Sequence, residues 1–130
     1  MQDIIKYLPA VIYEYKIDPK GVSCFTYVSE SSESVLGLSP SAILENPNLM
    51  DEIVHKQDLP LMIESSRYCI EMGSEWNWEG RMIVNDKIIW VEVRSNHERR
   101  ADGTVIRRGI LQDITERKEL ARETEVRYLT

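Results

Sequence analysis

The side chains in this chain that could do chemistry are few and scattered. His55 and His97, and Cys24 and Cys69, stand far apart in sequence. No Cys-x-x-Cys pair joins them, and no third histidine, cysteine or carboxylate falls at metal-ligand spacing. Nucleophilic catalysis needs a serine or cysteine with a base beside it, and neither Gly-x-Ser-x-Gly nor a Cys/His pair at a recognisable spacing occurs. Phosphoryl transfer needs a glycine-rich cradle, and the six glycines stand singly. What remains suits binding: six tyrosines, three tryptophans and a late concentration of arginines. Arg94, Arg99, Arg100, Arg107 and Arg108 alternate with Glu92, Glu98 and Asp102, a pattern that reads as cross-strand ion pairs. Arg107 and Arg108 are neighbours on a strand, so they point to opposite faces and cannot serve one site. These features describe a binding module rather than an enzyme.

The elements that position these groups belong to one domain. The chain has 130 residues, 42% of them apolar and 29% charged, an ordinary globular composition. Sixteen basic against 22 acidic residues give a net charge of −6, which repels nucleic-acid backbones. No run approaches the roughly 20 apolar residues of a membrane span, and no secretory leader is visible, so the expected location is the cytoplasm, without membrane contact. Two well-separated cysteines suit a reducing compartment. The charged run ending at Thr130 reads as a segment of something larger.

Apolar spacing sets the order of elements. Residues 2–8 form a short amphipathic helix stopped by Pro9. Alternation at Val11, Tyr13, Tyr15 and Ile17 marks a strand, Asp18-Pro19-Lys20-Gly21 a turn, and residues 22–29 a second strand. Residues 29–36 and 39–44 take helical spacing, with Ser39 capping and Pro40 at the first helical position. One more helical turn follows around Leu49, Ile53 and Val54. Asp58 is a candidate cap for a longer helix over 59–72, closed by Gly73. The period then returns to two in strands from Trp76 to Val84, Lys87 to Ser95 and Thr104 to Gln112, with hairpin turns at Asn85-Asp86 and Asp102-Gly103. Asp113 and Glu116 resemble a capping box for a terminal helix over 116–130, on which Glu119/Arg122 and Glu123/Arg127 stand at pairing distance. Strands at both ends of a helical middle predict an α+β fold: one five-stranded antiparallel sheet with helices on one face. The divisions are a flanking helix at 1–9, a domain at 10–115, and the start of an exit helix at 116–130.

Four stretches carry a family resemblance. Ser32-Glu-Ser-Val-Leu-Gly-Leu38 is similar to the helix entry of PAS domains. Val54-His55-Lys56-Gln57-Asp58 resembles their Val-His-Pro-x-Asp step, with Lys56 in place of proline. Ile89-Trp90-Val91-Glu92-Val93-Arg94 resembles the Trp-Val-Glu-Val strand of one large subgroup. Asp102-Gly103, then Gly109-Ile-Leu-Gln-Asp-Ile-Thr-Glu-Arg-Lys118, resembles the last strand and the Asp-Ile-Thr exit into a signalling helix. The resemblance spans nearly the whole chain. It implies the PAS fold and a sensory or dimerisation module, cut from a prokaryotic histidine kinase or diguanylate cyclase type of protein. The output domain would follow in the same chain, a homodimer would form, and a small molecule would sit between sheet and helices. The alternatives are a ligand-free structural dimeriser and a small stand-alone enzyme.

On that reading the ligand pocket is lined by Tyr13, Tyr15, Tyr27, Met62, Ser66, Cys69, Met82, Val91, Val93 and Leu111, which would otherwise simply fill a core. The signal leaves through Asp113, Ile114 and Thr115. Ile4, Ile5, Leu8 and Trp90 are the candidate dimer contacts, Trp90 because its parity opposes Val91 and Val93 and places it on the outer face. The cofactor, if any, is open, but two kinds are disfavoured. Flavin-photochemical PAS domains carry an Asn-Cys-Arg-Phe motif where this chain reads Glu45-Asn-Pro-Asn-Leu49, and a final-strand Gln where this chain has Leu111, with Gln112 facing the other way. Haem-binding members place their axial histidine in the long helix, which here has none. His55 precedes that helix and reads as a loop-structuring group. His97 reads as a solvated hairpin residue, and Cys69 as a small core residue.

Overall fold

The computed structural model describes residues 9–129, with side chains as far as Glu125. The expected helix at residues 2–8, with Ile4, Ile5 and Leu8, lies outside the described residues. Strands β1 (Ala10–Ile17) and β2 (Ser23–Val28) open the domain. Helices α1 (Ser32–Leu36), α2 (Pro40–Glu45), α3 (Leu49–Glu52) and α4 (Leu59–Met72) follow, then strands β3 (Trp76–Val84), β4 (Lys87–Arg99) and β5 (Val105–Asp113), and helix α5 (Thr115–Leu129). The five strands form one antiparallel sheet in the order β2-β1-β5-β4-β3, as the strand grouping predicts. Alternation assigns the faces. Val11, Tyr13 and Tyr15 of β1, Trp76, Trp78 and Met82 of β3, Val91 and Val93 of β4, and Leu111 of β5 face α1–α4. With Leu36, Ile43, Val54 and Met62 they build the core.

Three local features depart from the sequence reading. The helix expected from residue 29 starts at Ser32, because Ser29 and Ser31 are buried and occupied elsewhere. Ser29 Oγ accepts from the Ile12 amide at 2.9 Å and Ser31 Oγ donates to the Ala10 carbonyl, so both serve the backbone of β1. Strand β4 runs on to Arg99 rather than ending at Ser95, paired to β5 along its added length. Asp58 stands at the start of α4, but its side chain caps nothing there. Its carboxylate accepts instead from Arg81: the backbone N–H at 2.8 Å, Nε at 2.9 Å and Nη2 at 2.7 Å. Together with His55 N–H to the Arg81 carbonyl and Ile83 N–H to the Ile53 carbonyl, this sews the entry of α4 onto β3. The cap at Ser39 and the tight turn at Asn85-Asp86 form as expected. Ser39 Oγ accepts from the Ala42 amide, and both turn residues take positive φ, the geometry of a two-residue hairpin.

Two glycines let aromatic rings lie flat on the sheet. A Cβ on Gly80 would stand 2.1 Å from the Trp78 ring, and one on Gly109 would stand 2.6 Å from the Tyr13 hydroxyl. Gly80→Ala must displace the Trp78 indole from the core, and we expect a cost of about 1–3 kcal/mol, read as a lower urea midpoint with an unchanged slope. The Arg81 guanidinium and backbone amide hold the Asp58 carboxyl below the usual carboxylate range. A depressed carboxylate stabilises the fold above its unfolded pKa, and that stability is lost as pH falls through the folded value. Asp58→Asn should therefore lower the melting temperature at pH 7. The gap to wild type should close as pH falls below the ordinary Asp range of about 3.9.

Candidate functional site

Between the inner face of the sheet and the helices lies a cavity of about 490 Å³. Seven of the ten expected pocket residues line it: Tyr13, Tyr15, Met62, Ser66, Met82, Val93 and Leu111. The other three do not, each for a local reason. Tyr27 is 52% exposed. The β1–β2 register slips between Glu14, opposite Tyr27, and Tyr15, opposite Phe25, so a bulge at Thr26 turns Tyr27 to the outer face and leaves Phe25 on the inner one. Val91 is fully buried opposite Gly80 and Asp113, toward the exit end of the sheet, where it packs in the core. Cys69 packs half-buried against the core, beside the helical stripe of Met62, Ser66 and Ile70 that faces the cavity.

Phe25, Asp51, Trp76 and Arg107 line the cavity too, outside the ten expected residues. Arg107 changes its character most. Arg108 pairs across strands with Glu98 and Glu14, whereas Arg94 and Arg100 pair along the chain with Glu92 and Glu98, two residues back, rather than across the sheet as expected. Arg107 pairs with no carboxylate among the described residues. It projects inward and is 4% exposed. Its guanidinium donates to the Ser66 hydroxyl and carbonyl and lies 4.7 Å from the centre of the Trp76 ring. Nε, buried, donates to nothing. The signal for this was parity: Arg107 shares its face with Leu111, and its neighbour Arg108 takes the opposite one.

The electrostatics follow from burial. Desolvation pushes the Tyr13 and Tyr15 phenols up, so both stay neutral and able to donate. Burial likewise raises the Asp51 carboxyl and disfavours the charged form of Arg107. His97 is not a solvated hairpin residue. It pairs with Arg107 within the sheet, and burial, then Arg107 and Arg99, lower its pKa. His55 does structure its loop: Nδ1 accepts from the Gln57 amide at 3.1 Å. Among the described residues no cluster of three His, Cys, Asp or Glu side chains could hold a metal ion. Leu111 faces the cavity, and Gln112 lies on the other side of β5 and is exposed.

The exit residues form a joint. Asp113 ends β5, and its Oδ1 accepts from the Thr115 amide at 2.9 Å and the Thr115 hydroxyl at 2.6 Å. Thr115 Oγ1 accepts in turn from the Trp90 amide at 2.9 Å, and the Ile114 amide donates to the Trp90 carbonyl at 2.8 Å. Asp113 thus bonds to Thr115 rather than closing the expected capping box with Glu116. Trp90 lies on the outer face as its parity requires. Among the described residues, Lys118 Nζ lies 4.9 Å from the ring centre and the Arg81 guanidinium 5.8 Å from it. Lys118 and Arg117 also reach Glu79 and Glu92, so α5 is tied by charge to β3 and β4. Glu119 and Arg122 form no ion pair with each other, and Arg127 lies outside the described side chains.

A profile of the PAS fold family matches residues 25–110. No match is found among curated proteins. Among solved structures, the N-terminal domain of a diguanylate cyclase with PAS/PAC sensor from Marinobacter aquaeolei is similar, with a TM-score of 0.70 and 19% identity over 84% of this chain and 98% of that one. A PAS domain from Colwellia psychrerythraea has a TM-score of 0.68 and 21% identity, covering 88% and 93%. A sensory box histidine kinase/response regulator from Burkholderia thailandensis has a TM-score of 0.66 and 18% identity, covering 90% and 87%.

A buried cation without an anion costs stability, so an apolar residue of similar length in its place costs little or stabilises. We expect Arg107→Met to change stability by less than about 1 kcal/mol, or to raise it, in urea titration. A loss above about 3 kcal/mol would mark Arg107 as a structural residue held by Ser66 and Trp76.

Proposed function

The chain belongs to the PAS family, and we propose that it is a sensory module that binds a small molecule in the cavity and passes the event to α5. The observation that carries this is continuity. Strands β4 and β5 supply Val93, Arg107 and Leu111 to the cavity, and the same strands end in the joint of Trp90, Asp113, Ile114 and Thr115. A ligand that prefers one tilt of these strands shifts the population of that joint, and the shift is limited by its differential affinity for the two arrangements. The histidine kinase and diguanylate cyclase parentage named for similar structures supports an output domain following in the same chain and a sensory role for this segment. We add to this a homodimer in which this segment is not catalytic. The competing reading is a dimerisation domain that binds no ligand. The absence of a cysteine from 45–49 and of a histidine from α4 argues against photoreactive flavin and haem as the bound group.

Native and denatured mass spectra of the purified protein test this. We expect extra mass that disappears on denaturation. A native mass equal to bare chains, with no ligand-dependent change in hydrogen exchange, would favour the dimerisation reading. Thr115→Val removes the acceptor for the Trp90 amide. It should leave ligand affinity within about twofold, while the ligand-dependent protection of the first turn of α5 falls. Unchanged protection in that variant would place the coupling elsewhere.

A further inference from the structure

The cavity contains one group that packing alone does not explain. An arginine has five N–H donors and no acceptor, and stays charged in proteins. Ser66 accepts from two of the nitrogens of Arg107, and Nε has no partner. Arg81, Arg94, Arg100, Arg108 and Arg117 all have carboxylate partners, whereas among the described residues no carboxylate pairs with Arg107, although it is the most buried of them. Aromatic and aliphatic side chains, including Tyr15, Phe25, Met50, Met62 and Trp76, make up much of the rest of the wall, with Asp51, Arg67 and Glu71 also on it.

We propose that the cavity takes a small organic monocarboxylate with an apolar or aromatic body, its carboxylate set against Arg107. This rests on the ligand-binding reading of the same cavity and names its ligand class. The guanidinium supplies a charge-assisted donor that no carboxylate of the described residues pairs with, and the Tyr13 and Tyr15 phenols, held neutral by burial, add further donors. The ligand carries a single charge because Asp51 and Glu71 line the cavity as well, and only Arg67 stands with Arg107 against them. A multiply charged anion such as phosphate meets that acidic side. A monocarboxylate presents one oxygen pair to Arg107 and its apolar remainder to the rings.

Isothermal titration with phenylacetate, hexanoate, their neutral amides and inorganic phosphate tests this. We expect each acid to bind about tenfold or more tightly than its amide, and phosphate to bind more weakly than either acid. In Arg107→Met the acid and amide should bind alike. Equal binding of acid and amide in the wild type overturns the anion inference while leaving cavity sensing in place. Phosphate binding more tightly than the acids overturns the carboxylate class, and an acid preference that survives Arg107→Met overturns the role of Arg107. If neither acid nor amide binds, the inference fails. A neutral molecule released in the denatured mass spectrum would then show that the sensing reading stands without it. The wild-type comparison of acid with amide holds even if the variant does not fold.

Discussion

The pairing of β1 with β5 is the constraint on which the rest depends. Eight residues of the first strand meet eight of the last, from Ala10 opposite Gln112 to Ile17 opposite Val105. These contacts span most of the chain, so they form only after a large loss of loop entropy. Once made, they put Tyr13 over Gly109 and Tyr15 opposite Arg107, and the floor of the cavity is in place. A slip of β1 by one residue would turn Tyr13 and Tyr15 outward while Arg107 and Leu111 stayed on the inner face. Gly109 guards against it, because it is the position of β5 that leaves room for the Tyr13 ring.

How much of this was legible follows from what each element depends on. Helix α4, with its start after Asp58 and its end at Gly73, depends on local spacing and a C-terminal glycine, so it could be read from the chain. The inward faces of β1, β3, β4 and β5 follow from alternation and that of α4 from helical spacing, which is why seven of the ten residues lie on the cavity. Tyr27 was not legible because a bulge inverts parity without any mark in composition. The Asp58 side chain was not legible either. Asp at a helix start normally caps, and only the neighbouring strand decides that Arg81 takes the carboxylate instead. Arg107 shows the limit most clearly. Five arginines among acids look alike in sequence, but Arg94, Arg100 and Arg108 find carboxylates while Arg107, whose parity points inward, finds none among the described residues.

Stability and the proposed anion recognition pull in opposite directions at Arg107. Taking a guanidinium out of water costs several kcal/mol after relaxation, and two bonds to Ser66 and a ring face at 4.7 Å return only part of it. An apolar side chain would fill the same volume among Tyr15, Trp76 and Leu111 at less cost. A sequence selected only to pack a core has no use for the charge there. A sequence that must recognise something does, because an uncompensated cation binds an anion more strongly in a low-dielectric cavity than the same group on the surface.

The joint at Trp90 sets the scale of any signal that leaves this domain. One hydrogen bond, from the Trp90 amide to Thr115 Oγ1, is worth about 1 kcal/mol net, while a tenfold population shift requires about 1.4 kcal/mol. A joint made of that bond alone would respond weakly. Ile114 is buried and its amide holds the Trp90 carbonyl, and Lys118 and Arg117 tie the first turn of α5 to Glu79 and Glu92. Trp90 and Glu92 of β4 anchor the two backbone bonds and one Arg117 pair, and Glu79 of β3 anchors Lys118. The exposed ion pairs contribute little each, so the weight lies on the two backbone bonds of Trp90 and the burial of Ile114. On the proposed reading, a ligand moves α5 only by as much as its affinity differs between the two arrangements of these contacts.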